Sequence, residues 1–286
     1  MSAPNWRSLL FVPTTSERFV AKAHTRGADV IILDLEDSIP PGEKQAARDA
    51  LPAAARTLKQ AGVEVCVRIN RPMEMSVIDI AAAVMPEVSS LMLPKLMGPE
   101  HVKLLSEIVA AREVLLDLPR GHTRFIGMVE TPQALGQLQA IALADPRMAA
   151  IGIGSEDLST ELEAVPGADS MYVFGMMVVA AARGAGILPL GSVGAFADFS
   201  DLEGYRASLK RSRQLGFGCT ACIHPLHVPI INEEYGPSPA EVDRARRLIQ
   251  AFDEALIQGL GAVAFEGAMI DLPVVERARK VLARAR

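Results

Sequence analysis

The stretch VIILDLEDSIPP, residues 30–41, sets four consecutive apolar residues against three acids in the next four positions. Four such residues suit a buried strand. Charge at the end of a buried strand is costly unless it meets a cation or a substrate. The pattern therefore predicts a strand over 30–34 whose C-terminal end carries Asp34, Glu36 and Asp37 toward a partner that wants negative charge.

The same kind of run recurs at 8–12 (SLLFV), 63–69 (VEVCVRI), 90–94 (SLMLP), 124–129 (RFIGMV), 149–154 (AAIGIG), 187–191 (ILPLG) and 220–224 (TACIH). Between them lie stretches of helical period such as 43–60, 99–113 and 201–216. Helix start signals accompany them: Thr15 or Ser16 before ERFVAKAH, Pro99 after Gly98, Thr131 with Pro132, and Asp198 before the segment at 201–216. Eight strands alternating with helices predict an α/β protein built as a (β/α)8 barrel. After His224 the texture changes to a helix, a glycine-rich break with a short strand or loop, and a last helix near Pro273. The expected division is a catalytic barrel over 1–235 and a C-terminal helical extension over 236–286 that packs on a neighbouring subunit.

Composition narrows the class. Half of the 286 residues are apolar, aromatics are only 5%, and the formal net charge is -5. That balance supplies a core suited to helices on strands and offers no basic footprint for nucleic acid. No secretory signal pattern opens the chain, and the most apolar window, 171–182, falls short of the roughly 18 residues needed to cross a bilayer. The expectation is a cytoplasmic protein that engages neither nucleic acid nor membrane. Cys66 reads as a small buried hydrophobe, and Cys219 with Cys222 lacks the second pair of a zinc site.

In a parallel barrel the chemistry sits where the strands end. Polar residues collect at those ends: Asp34, Glu36 and Asp37 after the second run, Arg68 and Asn70 after the third, Lys95 after Pro94 on the fourth, Glu130 after the fifth, Glu156 and Asp157 after the sixth, and His224 after the eighth. Glu130 and Asp157 offer hard oxygen ligands suited to Mg²⁺ or Mn²⁺, or else cap the helices that follow them. Arg68 suits a bidentate grip on a small acid, or an ion pair with Glu36 or Asp37. Lys95 reads as paired with nearby acids rather than as a Schiff-base amine. No dinucleotide fingerprint, phosphate-binding loop or nucleophile elbow is present.

Taken together, RSLLFVP (7–13), GADVIILDLEDSIPPGEKQAAR (27–48), VRIN (67–70), LPK (93–95), VETPQAL (129–135), GSEDL (154–158), CIHP (222–225), PSPAEVDRAR (237–246) and GAVAFEGAMIDLPVVERA (261–278) resemble the citrate lyase β-subunit-like group of the HpcH/HpaI aldolase family. The resemblance implies a Mg²⁺-binding barrel, usually trimeric or a dimer of trimers, that cleaves or forms a carbon–carbon bond in a 3-hydroxyacyl-CoA thioester. On it, Glu130 and Asp157 would hold the metal, and Arg68 would bind the oxo-acid, with Glu130, Pro94 and Lys95 bordering the substrate. Glu36 and Asp37 would hold the waters or second shell of the metal, and Asp271 of a neighbouring subunit would protonate the departing enolate. A related free-acid aldolase, an acyl-CoA thioesterase, and a non-catalytic subunit of a lyase complex are the other readings. Departures from the group fall at Thr14, at the segment around Phe174 and Gly175, which lacks an arginine common there, and at Ala268, where a lysine is frequent.

Overall fold

The structure is a computed structural model that describes residues 4–165, 169–193 and 201–285. The chain separates into two compact units, Met1–Asn232 and Glu233–Arg286.

The first unit carries eight strands, β1 (Ser8–Pro13), β2 (Val30–Asp34), β3 (Glu64–Arg68), β4 (Ser90–Leu93), β5 (Arg124–Val129), β6 (Met148–Ile153), β7 (Leu188–Leu190) and β8 (Thr220–Cys222). All pair in parallel in the order β7-β6-β5-β4-β3-β2-β1-β8, and a bridge from Leu190 to Cys219 joins the two ends. The sheet is thus a (β/α)8 barrel. Each of the eight apolar runs in the sequence is one of its strands. Helices follow in alternation: α1 (Glu17–Ala23), α2 (Lys44–Gln60), α3 (Met73–Ala83), α4 (Pro99–Leu115), α5 (Pro132–Leu135), α6 (Leu138–Ala142), α7 (Ser155–Glu161), α8 (Asp169–Gly184), α9 (Leu202–Leu215) and α10 (His227–Tyr235). α2 shows why they pack: Ala47, Leu51, Ala54, Ala55 and Leu58 recur at helical spacing and form its buried face. Asp198 lies outside the described residues, and Asp201 caps α9 by accepting the Gly204 N–H.

The barrel interior is filled by Leu9 and Phe11, Val30 and Ile32, Cys66, Met92, Ile126 and Met128, Ala150, Leu188 and Leu190, Cys219 and Ala221. Alternate residues of a strand face the same side. One step beyond this core, the inward positions become Asp34 after Ile32, Arg68 after Cys66, Pro94 after Met92 and Glu130 after Met128. The core and the charged mouth are therefore one pattern, apolar below and ionic above. At the other pole Trp6 closes the barrel, with its indole N–H donating to Glu64 Oε2 at 2.9 Å.

The second unit holds α11 (Pro239–Ile257), a hairpin of β9 (Val263–Phe265) and β10 (Ala268–Ile270), and α12 (Leu272–Ala283). Its core is Ala245, Leu248, Phe252, Ile270, Val275 and Ala278. Ser238 and Glu241 form a reciprocal capping box at the start of α11.

Candidate active site

Strand register places Asp34 directly beside Arg68. The Arg68 guanidinium donates from Nε to Asp34 Oδ1 at 2.7 Å and from Nη2 to Oδ2 at 2.6 Å. Its remaining nitrogen, Nη1, lies 3.1 Å from Glu36 Oε2 and 3.3 Å from Asp37 Oδ2. The expected ion pairs with Glu36 and Asp37 are thus present, but the principal partner is Asp34. Burial alone would raise the Asp34 carboxyl. The Arg68 hydrogen bonds and charge, with the N–H groups of Ser38 and Glu36, outweigh it and hold Asp34 below the usual carboxylate range. The guanidinium also lies over the Phe11 ring, 4.7 Å from its centroid.

Behind this pair stands a buried brace. Asp79 on α3 is fully buried and accepts from Arg48 Nε at 2.6 Å, from the Asn70 N–H at 2.7 Å and from Asn70 Nδ2 at 2.7 Å. Asn70 Nδ2 also donates to the Leu35 carbonyl at 2.9 Å. Lys44 reaches from α2 to the carbonyls of Leu35 and Glu36 at 2.8 and 2.7 Å. The segment carrying Glu36 and Asp37 is therefore held by side chains from two helices and one strand end. Thr14 is buried, and its hydroxyl donates to the Asp34 carbonyl at 2.8 Å, so this departure from the family pattern serves as a tie between β1 and β2.

Lys95 joins the other acids. It follows the buried Pro94 with a left-handed backbone, φ 47°. Its N–H donates to Glu130 Oε2 at 2.6 Å, while its ammonium lies 3.2 Å from Glu36 Oε1, 3.5 Å from Asp157 Oδ1 and 3.7 Å from Asp37 Oδ1. Burial lowers the affinity of Lys95 for its proton, but the charges of Glu36, Asp157 and Asp37 outweigh that effect and keep it an ammonium. This environment favours an ion-pairing role over that of a free amine nucleophile.

Glu130 is buried and packs against Gly154, where an added Cβ would run into Glu130 Oε1. Burial pushes its carboxyl up to about 7, opposed by the Lys95 N–H and reinforced by the charges of Asp157 and Glu36. The cap of α5 is Thr131 rather than Glu130. Asp157 occupies the first turn of α7, so the favourable helix end and the acid cluster both apply to it. Glu36 is buried and raised by desolvation, and its Oε2 has no aligned hydrogen-bond donor despite the nearby Arg68 charge. Asp271 belongs to the second unit, where it is the exposed residue preceding α12.

Five carboxyl groups, of Asp34, Glu36, Asp37, Glu130 and Asp157, thus gather around Arg68 and Lys95, with Lys44 on the carbonyls of Leu35 and Glu36. A surplus of acid, an underused buried carboxylate oxygen and hard oxygen donors fit a divalent cation such as Mg²⁺, which needs only one or two protein carboxylates. Among the described residues no group of three or more His, Cys, Asp or Glu forms a complete cage of its own. Residues that the sequence did not single out for the site are Asp34 as the partner of Arg68, Asp79 as the buried brace, and Gly154. The shared parity of 32/34 with 66/68 is the sequence signal that places Asp34 and Arg68 on one side.

A parallel barrel with this charged mouth defines an enzyme, and comparison with known proteins gives its family. Residues 7–225 match the HpcH/HpaI aldolase/citrate lyase family. The citrate lyase subunit beta of Escherichia coli (strain K12) is 32% identical over 282 residues, covering 98% of this chain and 93% of that protein. A (3S)-malyl-CoA thioesterase of Cereibacter sphaeroides (strain ATCC 17025 / ATH 2.4.3) is 32% identical, covering 98% and 94%. The crystal structure of CitE from Mycobacterium tuberculosis in complex with magnesium, acetoacetate and coenzyme A has a TM-score of 0.77 and 30% identity, covering 98% of both chains. The chain belongs to the HpcH/HpaI aldolase/citrate lyase family, and its class of chemistry is that of a carbon–carbon lyase. No helix among the described residues is long and apolar enough to cross a membrane.

Proposed function

We propose that the protein is a Mg²⁺-dependent lyase that cleaves or forms a 3-hydroxyacyl-CoA thioester, such as malyl-, citramalyl- or citryl-CoA, releasing acetyl-CoA and a 2-oxo acid. The observation that carries this reading is the meeting of Glu130, Asp157, Glu36, Asp37, Arg68 and Lys95 at one end of the barrel. Glu130 and Asp157 would hold the cation, and Mn²⁺ would satisfy the same donors. When bound, Mg²⁺ supplies Lewis acidity toward the oxygens of the acid.

The residues divide the remaining work. Asp34 and the Phe11 ring hold the Arg68 guanidinium, so that Nη1 takes the substrate carboxylate together with Pro94 and Lys95 at the border. Glu36 and Asp37 orient the polar groups around the reacting hydroxyl. That hydroxyl gives up its proton to the Glu36 and Asp37 carboxylates beside it, the carbon–carbon bond breaks, and the electron pair of that bond passes to the thioester α-carbon. The carbon then takes a proton from Asp271 of a neighbouring subunit in a homotrimer, with the second unit packing across the interface.

The relative named as a malyl-CoA thioesterase supports a second outcome, in which the thioester is hydrolysed instead. Mass-spectrometric product analysis against malyl-, citramalyl- and citryl-CoA, with and without Mg²⁺ and with Asp157→Ala as control, separates the two. Metal-dependent acetyl-CoA plus one oxo-acid is the expected result. Free CoA with an intact hydroxy acid would assign the hydrolase, and no turnover of any of the three would count against both.

A further inference from the structure

A cavity of about 310 Å³ opens beside the acid cluster, at the ends of β5 to β8 and β1. This is ordinary size for a small-molecule pocket, for which roughly 300–1,000 Å³ is typical. Two residues belong to both places. Phe11 lines the cavity and stacks beneath Arg68, and Gly154 lines it and packs against Glu130.

The walls differ in kind from the cluster. Met128, Val178, Leu190, Phe217 and Ala221 supply an apolar lining, with Tyr205 and His227 stacked at 4.0 Å between ring centroids. No Lys or Arg is among the described lining residues, and Glu156 is their one acid. Residues 166–168 and 194–200 contain no Lys, Arg or His. His227 is buried, and burial together with the charge of His224 holds its imidazole below the usual histidine range. Ser155, Ser192, Thr220 and the unpartnered His227 Nε2 are polar points in this wall, but a second carboxylate placed here would meet no cationic side chain among the described lining residues, and Glu156 would repel it. A hydrogen or a single methyl would leave most of the volume unfilled.

We infer that this cavity receives an uncharged alkyl substituent of the 2-oxo acid half of the substrate, so that the preferred acid is apolar and of about four to six carbons rather than a dicarboxylate. The inference rests on the lyase reading above. It follows from the shared ring: an acid whose carboxylate is held by Arg68 leads its carbon chain across Phe11 and into the cavity. Ground that Arg68 leaves polar, Phe11 makes apolar.

Calorimetric titration of the full-length, Mg²⁺-loaded protein with oxaloacetate, pyruvate, 2-oxobutyrate and 2-oxohexanoate tests it without requiring turnover. Affinity is expected to rise along the alkyl series, with 2-oxohexanoate at least tenfold tighter than pyruvate and oxaloacetate weakest. Ala221→Phe, which fills part of the cavity, should shift the ratio of 2-oxohexanoate to pyruvate affinity back by tenfold or more. Pyruvate or oxaloacetate binding as tightly as 2-oxohexanoate in the unmodified protein would overturn the inference, as would binding of none of them. A parallel condensation assay of glyoxylate with acetyl-CoA and hexanoyl-CoA covers the other half of the substrate. Preference for hexanoyl-CoA without preference among oxo acids would assign the cavity to the acyl chain and overturn this placement. Alkyl-acid preference without carbon–carbon cleavage of any ester would remove the lyase reading and leave the pocket assignment standing. Cleavage with dicarboxylate preference would do the reverse.

Discussion

Arg68 and Asp34 are register partners on neighbouring strands and are joined at two points, at 2.7 and 2.6 Å, with the carboxylate only 1% exposed. The pair commits one edge of the guanidinium to structure and turns Nη1 toward Glu36 and Asp37. Asp34→Asn removes the charge that holds this orientation and leaves Arg68 to Glu36 and Asp37. Breaking a buried pair from one side costs about 3 kcal/mol or more. The expected result is a lower urea midpoint together with at least a tenfold loss of kcat/KM. An unchanged midpoint would show that Asp34 does not stabilise the barrel end.

Lys44 touches no proposed substrate atom, yet its ammonium takes the Leu35 and Glu36 carbonyls. Lys44→Met keeps the length of the side chain and leaves both carbonyls without that donor, at about 1–3 kcal/mol for groups away from water. Activity should fall through a disordered Glu36 and Asp37, with partial recovery in Lys44→Arg. Equal loss in both variants would point to bulk packing instead.

Gly154 has an ordinary backbone conformation, φ -82°, so alanine there meets no backbone strain. Its Cβ would meet Glu130 instead. Gly154→Ala is expected to weaken Mg²⁺ binding by about tenfold or more, as loss of support around a ligand commonly does, with little change in Tm. Calorimetric titration with Mg²⁺ alone reads this directly, and wild-type affinity would exclude Glu130 as a ligand in its present position.

The buried pair of Glu113 and Arg147 gives a pH dependence free of the active site. Arg147 donates to both carboxylate oxygens at 2.7 and 2.6 Å, and Thr123 and Gly121 add N–H donors at 2.9 and 3.0 Å. Burial alone would raise Glu113, but these partners hold it below its usual value near 4.5. A depressed carboxyl contributes stability above its unfolded value and loses it as pH falls through the lower folded value. The Tm gap between wild type and Glu113→Gln should therefore be widest near neutral pH and narrow below about pH 4.5. A gap independent of pH would mean that the charge of Glu113 is not what stabilises.

The barrel was legible because a strand buried on both faces must be apolar throughout, and eight such runs stand out between helical stretches. The acids at the strand ends were legible for the same reason, as breaks in those runs. Partnership was not. Asp34, Glu36 and Asp37 look alike in sequence, and only register puts Asp34 opposite Arg68 while sending Glu36 toward Lys95. Asp79 was hidden within a helix, where one acid among Ile78, Ile80 and alanines reads as a surface residue until its burial is known. The grip of Lys95 on Glu130 depends on a left-handed turn that a lysine rarely adopts, so nothing in LPK announces it.

The seam between β7 and β8 is the thinnest part of the barrel. Where β1 and β2 share five paired residues, β7 meets β8 through one bridge and two flanking hydrogen bonds, Gly191 N to Cys219 O at 2.8 Å and Gly218 N to Pro189 O at 3.1 Å. The ionic cluster hangs on the densely laddered side, and the apolar cavity opens on the seam. Side chains at the seam can be exchanged for larger or smaller ones while few interstrand bonds are disturbed. Mutational drift therefore has an inexpensive route to new substrate shapes on one side of the mouth, and a guarded reaction centre on the other.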